Sequence, residues 1–116
     1  MKYSESLKKH KDFELVYKEH NSLANRFLVM YIRDNGYLKN RIGISVSKKV
    51  GNSVVRHRIT RLIRESYRLN ETLFRRSIDI VVVARKNAKD ISYEDIKNSL
   101  IHLGGKHNII IKEQEC

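Results

Sequence analysis

Apolar and polar residues alternate in two stretches near the middle of the chain, RFLVMYIR (26–33) and RIGISVS (41–47). A two-residue period predicts strands. In the first, Leu28, Met30 and Ile32 point one way, and Phe27, Val29, Tyr31 and Arg33 the other. In the second, Ile42, Ile44 and Val46 form the core side, opposite Arg41, Gly43, Ser45 and Ser47. The segment between them, DNGYLKN, is turn-like, with Asn35-Gly36 tightest, so the two strands are expected to pair as a hairpin. SIDIVVVAR (77–85) is nearly unbroken apolar sequence, which predicts a central strand covered on both faces.

Helical spacing marks three further segments. Asp12 is placed to cap a short helix through about His20, with Phe13, Val16 and Tyr17 along one side. Gly51-Asn52 breaks the strand pattern, and Asn52 predicts a cap for a helix from Ser53 to about Leu69. On that helix Val55, Ile59, Leu62, Ser66 and Leu69 share a side, with Ile63 at its edge. Ser92 with Asp95 is a weak capping box for a last helix that Gly104-Gly105 is expected to end. Residues 1–11 are polar and basic, which predicts loose order. Proline, repeats and linkers are missing from the sequence. The order helix, strands, helix, strand, helix predicts one α+β domain over 1–116, a two-layer α/β sandwich.

Composition narrows the function. The chain has 116 residues, enough for one core without disulfides. Its 24 Lys+Arg against 13 Asp+Glu give a formal net charge of +11, which points to a polyanionic partner. Cys116 is the single cysteine and has no pairing partner within the chain. The five histidines lack metal-ligand spacing, so no metal site made by protein side chains alone is expected. Acidic residues such as Glu14, Asp34, Glu65, Glu71 and Asp79 are scattered, and no catalytic constellation emerges. There is no apolar run of membrane-spanning length and no secretory signal, so the expected location is cytoplasmic.

The 53–69 helix concentrates the charge. Arg61, Arg64 and Arg68 share a side with His57, Arg56 and Arg58 flank them at the helix entrance, and Glu65 is the one acid among them. Cations crowded at a helix start repel each other and the helix dipole, a cost that an anionic surface removes. Arginine also offers a fork for phosphate and a plane for stacking on bases. A merely solvated face usually mixes signs. On the sheet, the side carrying Phe27, Val29, Tyr31, Gly43, Ser45 and Ser47, with Lys48 and Lys49 at its end, suits single-stranded nucleic acid. From pattern alone, Phe13, Val16, Tyr17, Val29 and Tyr31 suit a second small core under the first helix equally well.

Taken together, ANR, GISVSKKVGNSVVRHRITRLIRE and DIVVVAR resemble the protein subunit of bacterial ribonuclease P, and the resemblance runs from KDFELVYK to NSLIHL. The family's arginine-rich motif matches at Arg56, Arg58, Arg61 and Arg64. His57 stands where asparagine is usual, and Thr60 where lysine is usual. The resemblance implies a left-handed crossover, and a protein cofactor for a catalytic RNA that uses magnesium to remove the 5′ leader of precursor tRNA. It implies an endonuclease ribonucleoprotein whose catalytic centre is RNA, with no membrane and no obligate protein partner. By matching position, Arg56, His57, Arg58, Arg61, Arg64 and Arg68 would face ribonuclease P RNA. Phe13, Tyr17, Val29 and Tyr31 would line a leader cleft, with Ser45, Ser47, Lys48 and Lys49 as its polar edge. The alternative is a general RNA-binding protein of ribosomal type without leader recognition.

Overall fold

A computed structural model describes residues 1–111; the lone Cys116 lies outside them. The strand predicted to be central is so. β5 (Ile78–Ala84) is buried at every position except Val83, which is half-buried. It takes the middle of a five-stranded sheet built from β1 (Ser4–Ser6), β2 (Ser22–Ala24), β3 (Leu28–Asp34) and β4 (Asn40–Ser45), in the order β1-β4-β5-β3-β2.

This order overturns the expected hairpin. β3 and β4 do not pair with each other; β3 runs antiparallel to one side of β5 and β4 runs parallel to the other. The strand with two apolar faces needs a neighbour on each side and cover above and below. Residues 35–39 therefore bridge two strand spacings, about 9–10 Å, rather than make a tight turn. Asn35 shapes that bridge: its Oδ1 accepts from the Tyr37 amide at 2.8 Å, and Gly36 takes a positive φ of 73°.

The main core lies on one side of the sheet. There Leu28, Met30 and Ile32 from β3, Ile42 from β4 and Ile78, Ile80 and Val82 from β5 meet α2 (Ser53–Asn70) and α3 (Tyr93–Lys106). Asn52 caps α2 as expected, accepting from the Val55 amide at 3.0 Å, and Ser92 caps α3 at the Asp95 amide at 3.1 Å. The buried stripe of α2 is Ile59, Ile63, Ser66 and Tyr67, rotated from the predicted one so that Leu69 is 57% exposed. Tyr67 draws the stripe round because its hydroxyl lies 2.8 Å from Ser4 Oγ and accepts from Asn40 in the interior. α3 runs through Gly104 and Gly105 instead of ending there. A Cβ on Gly104 would lie 2.7 Å from Ile110 and 3.0 Å from Phe74, so the glycine serves a close crossing between the helix and the returning chain.

The N-terminal segment is ordered, contrary to expectation. The Lys2 and Tyr3 amides donate to the Glu71 carboxylate, and Ser4–Ser6 pairs in parallel with β4. α1 (His10–Lys18) begins two residues before the predicted cap; Lys9 holds the cap position, and Asp12 sits in the first turn. This helix packs on the sheet face opposite α2 and α3, covering part of it.

Candidate nucleic-acid interface

Strand register lays out the α1 side of the sheet in three rows. Arg33, Asp79 and Arg41 form one, Tyr31, Val81 and Gly43 the next, and Val29, Val83 and Ser45 the last. α1 lies over the middle row. Val16 is fully buried against Val81, while Phe13, Tyr17 and Tyr31 remain half-buried. Tyr17 meets Tyr31 edge-on, with centroids 4.8 Å apart and planes at 81°, and Phe13 lies 6.4 Å from Tyr17. Gly43 makes room: a Cβ there would come within 2.6 Å of the Phe13 ring. Burial lifts the Tyr17 phenol above its ordinary range, with the Ser45 hydroxyl acting in the opposite sense.

Of the two readings left open by the sequence, the small second core is present, and the aromatic side chains are not fully enclosed in it. Val16, Val81 and Leu7 are a small second core. The aromatic residues form its margin and keep one flank in water, beside the row of Val29, Val83 and Ser45 that packs beyond the fully buried centre. Ser47, Lys48 and Lys49 are exposed in the connection that follows β4, which Val50 anchors by its own burial. Phe13, Tyr17, Val29, Tyr31 and Ser45 thus share one face, with the serine and two lysines at its end.

From that same connection α2 departs. Its first turn contains no acid. His57, Arg61 and Arg64 are exposed, and among the described residues they have no carboxylate partner. A groove of about 500 Å³ runs past Val54, His57, Arg58, Arg61, Leu62 and Glu65. Two other cations of this helix are engaged: Arg58 Nη2 donates to the Ile91 carbonyl at 2.8 Å, and Arg68 is paired with Glu65 one turn back. Arg56 is half-buried, and its Nε has no hydrogen-bond partner among the described residues. Hydrogen bonding from Arg68 holds the Glu65 carboxyl below its ordinary value. Thr60 Oγ1 donates to the Arg56 carbonyl at 2.9 Å, so it serves the helix backbone.

Sequence reasoning missed the ionic row that seats α1. Asp79 has no solvent exposure and accepts from Arg41 at 2.8 and 2.7 Å and from Asn35 at 2.9 Å. Arg41 also reaches Asp12 of α1 at 3.4 Å, and Arg33 reaches Glu19 at 3.7 Å. The signal was present: Asp79, Val81 and Val83 alternate toward one face, but the pairing that places arginines on either side of Asp79 depends on the strand order.

The family model described as ribonuclease P matches residues 1–108. The chain is 57% identical over 107 residues to the ribonuclease P protein component of Lachnoclostridium phytofermentans, covering 92% of each. It is 50% identical over 110 residues to that of Alkaliphilus metalliredigens, covering 95% of this chain and 99% of the relative. Among solved structures, the RNase P protein of Staphylococcus aureus superposes with a TM-score of 0.83 at 40% identity, over 91% of this chain and 97% of that one. The RNase P protein of Thermotoga maritima gives 0.80 at 30% identity, over 93% and 98%.

Proposed function

The chain belongs to the bacterial ribonuclease P protein family, and from that premise we propose that it joins two RNAs: the catalytic RNA on α2 and the 5′ leader of precursor tRNA on the sheet. It is the protein component of an endoribonuclease of tRNA processing and has an RNA partner. The observation that carries the finer reading is that one connection, residues 46–52, joins the strand of the trough to the basic helix. The half-covered aromatic trough leads through Ser47, Lys48 and Lys49 directly into the helix whose His57, Arg61 and Arg64 lack carboxylate partners among the described residues.

Each surface has its own chemistry. On the trough, Phe13, Tyr17 and Tyr31 offer ring flanks on which leader bases stack irrespective of sequence, and the lysines meet the backbone. On α2, His57, Arg61 and Arg64 neutralise phosphates of the catalytic RNA. Bond cleavage belongs to the RNA and its magnesium. Asp79, the buried acid in the row beside the trough, is committed to Arg41 and Asn35, and the trough's polar edge is hydroxyl and ammonium, so these residues do not fit a magnesium ion. The protein's contribution is binding: it lowers repulsion between two polyanions and orders the leader without touching the scissile bond. No helix among the described residues is long and apolar enough to cross a membrane, and the proposed site of action is the cytoplasm.

The test is reconstitution with ribonuclease P RNA, measuring magnesium-dependent leader removal and the affinity for precursor tRNA with leaders of graded length. Affinity is expected to rise as the leader lengthens across the trough, with a log–log salt slope near −3.5 if about five single-stranded phosphates are engaged, at roughly 0.7 each. Affinity independent of leader length would favour a general RNA-binding role of ribosomal type.

A further inference from the structure

Asn35-Gly36 is the one Asn-Gly step in the sequence, and the fold treats its two members differently. Asn35 is half-buried and tied down. Its amide donates to the Ser77 carbonyl at 3.0 Å, and its Oδ1 accepts from the Tyr37 amide at 2.8 Å. Its Nδ2 donates to Asp79 Oδ1 at 2.9 Å and to the Lys39 carbonyl at 3.2 Å. Those partners fix which end of the side-chain amide is which, because an N–H only donates and a carbonyl or carboxylate only accepts. Gly36 is exposed, with a φ of 73° and nothing within 4 Å of the place a Cβ would take. Its amide donates no hydrogen bond among the described residues.

Such a step carries its own reactive pair. The Gly36 nitrogen, having lost its proton to base, is free to attack Asn35 Cγ, since glycine puts no Cβ in the way. A bond forms between that nitrogen and Cγ, the Cγ–Nδ2 bond breaks, and Nδ2 leaves as ammonia. Water then opens the cyclic imide at either carbonyl. One product is aspartate at position 35; the other is isoaspartate, whose main chain runs through the former side chain. Nothing is oxidised or reduced. Ring closure turns the amide out of the plane that Asp79, Lys39 and Tyr37 hold, so in the folded chain those bonds must first be given up.

We propose that Asn35 is a spontaneous deamidation site that the fold keeps closed, and whose conversion undermines the ionic row that seats α1. The aspartate product turns the two donors facing Asp79 and the Lys39 carbonyl into a carboxylate. Asp79 has no solvent exposure, and its arginine partners, Arg41 and Arg33, are already shared with Asp12 and Glu19. Like charges at that distance drive the new carboxyl toward its protonated form. The isoaspartate product lengthens the main chain of the 35–39 bridge by a methylene as well. A chain that stays open long enough to react therefore closes less well afterwards. The inference does not depend on where RNA binds.

The experiment follows the whole protein by peptide mass mapping of residues 34–39 during incubation in mildly alkaline buffer, folded and in urea. Conversion at Asn35 is expected in urea, and at least about ten-fold more slowly in the folded protein, where several hydrogen bonds must break first. Equal rates, or no conversion in urea, would overturn the closed site. Asn35→Asp supplies the product, while Asn35→Ala removes the same side-chain hydrogen bonds without adding charge. At neutral pH, Asn35→Asp should lower the folding equilibrium constant at least about ten-fold, and further than Asn35→Ala does. A carboxyl whose folded-state value is raised destabilises fully above that value, and the penalty fades as pH falls below the ordinary aspartate pKa of about 3.9. The gap between Asn35→Asp and wild type should thus narrow in acid, and by more than the gap for Asn35→Ala. If Asn35→Asp is unfolded at neutral pH, folding on acidification supports the same reading. Wild-type stability for Asn35→Asp, a gap that pH does not move, or failure to fold at every pH would remove the consequence for the row.

Discussion

Arg41 and Asp79 face each other across neighbouring strands, with Arg41 Nε 2.8 Å from one carboxylate oxygen and Nη2 2.7 Å from the other. The pair is the pivot on which α1 rests, since Arg41 also reaches Asp12 in the first turn of that helix. Removing one member strands the other. Asp79→Ala is expected to cost about 3–5 kcal/mol, the usual penalty for breaking a buried ion pair. Urea unfolding measures it, and a loss below about 1 kcal/mol would show that the pair does not hold the sheet together.

Gly43 lies beneath the Phe13 ring, and an added methyl would stand 2.6 Å from its Cζ. Gly43→Ala should therefore displace Phe13 and cost about 1–3 kcal/mol as an overpacked site. Combining it with Phe13→Leu, which shortens the opposing side chain, should recover part of that stability. If the double variant unfolds as easily as the sum of the singles, the clash is not the cause.

Tyr17→Ala with Tyr31→Ala removes the edge-to-face pair at the trough. Base stacking is worth about 1–3 kcal/mol per base, so precursor tRNA should bind the reconstituted particle at least ten-fold more weakly. Mature tRNA should be unaffected. Matching losses for both substrates would assign the two rings to the small core instead.

Arg61→Ala with Arg64→Ala removes two exposed cations from α2. Assembly with ribonuclease P RNA should weaken, and its salt slope should fall by about 0.7–0.9 per phosphate lost. Thermal unfolding of the free protein should hardly change, because neither side chain is buried. Undiminished affinity for the RNA would place its contact elsewhere.

Glu71 ties the N-terminal strand by accepting from the Lys2 and Tyr3 amides. Burial alone would raise its carboxyl, but those amides, the Ser4 hydroxyl and the N-terminal ammonium outweigh burial and hold it below the ordinary 4.5. A lowered folded-state value stabilises the protein above the unfolded pKa, and that contribution disappears as pH falls through the folded one. Stability measured by urea midpoint should thus drop below about pH 4.5, and Glu71→Gln should be less stable at neutral pH with a flatter acid limb. Parallel curves for the two proteins would rule the clamp out.

How far the sequence reaches is clearest by comparing α2 with β1. α2 carries its own local instructions: the Asn52 cap, the apolar spacing and the arginines were all readable, and the helix occupies nearly the predicted span. Ser4–Ser6 has no strand pattern; it is ordered by Glu71, Tyr67 and β4, which arrive from distant parts of the chain. The hairpin failed for the same reason. Alternation assigns faces to β3 and β4 correctly, but which strand lies between them depends on where β5 finds cover. At the site, the aromatic trough and the α2 cations were legible by type and spacing, whereas the Arg33–Asp79–Arg41 row needed the register.

Placing β5 at the centre has a consequence for how the chain acquires its shape. Neither β3 nor β4 has its principal partner until residues 78–84 have been synthesised, so a growing chain carries both as unsatisfied edges through the whole of α2. Contacts so distant in sequence make for slow folding, because the intervening loop must close before any pairing rewards it. The arginines of α2 all lie within that loop, so their mutual repulsion weighs on the one helix that shortens it before β5 arrives.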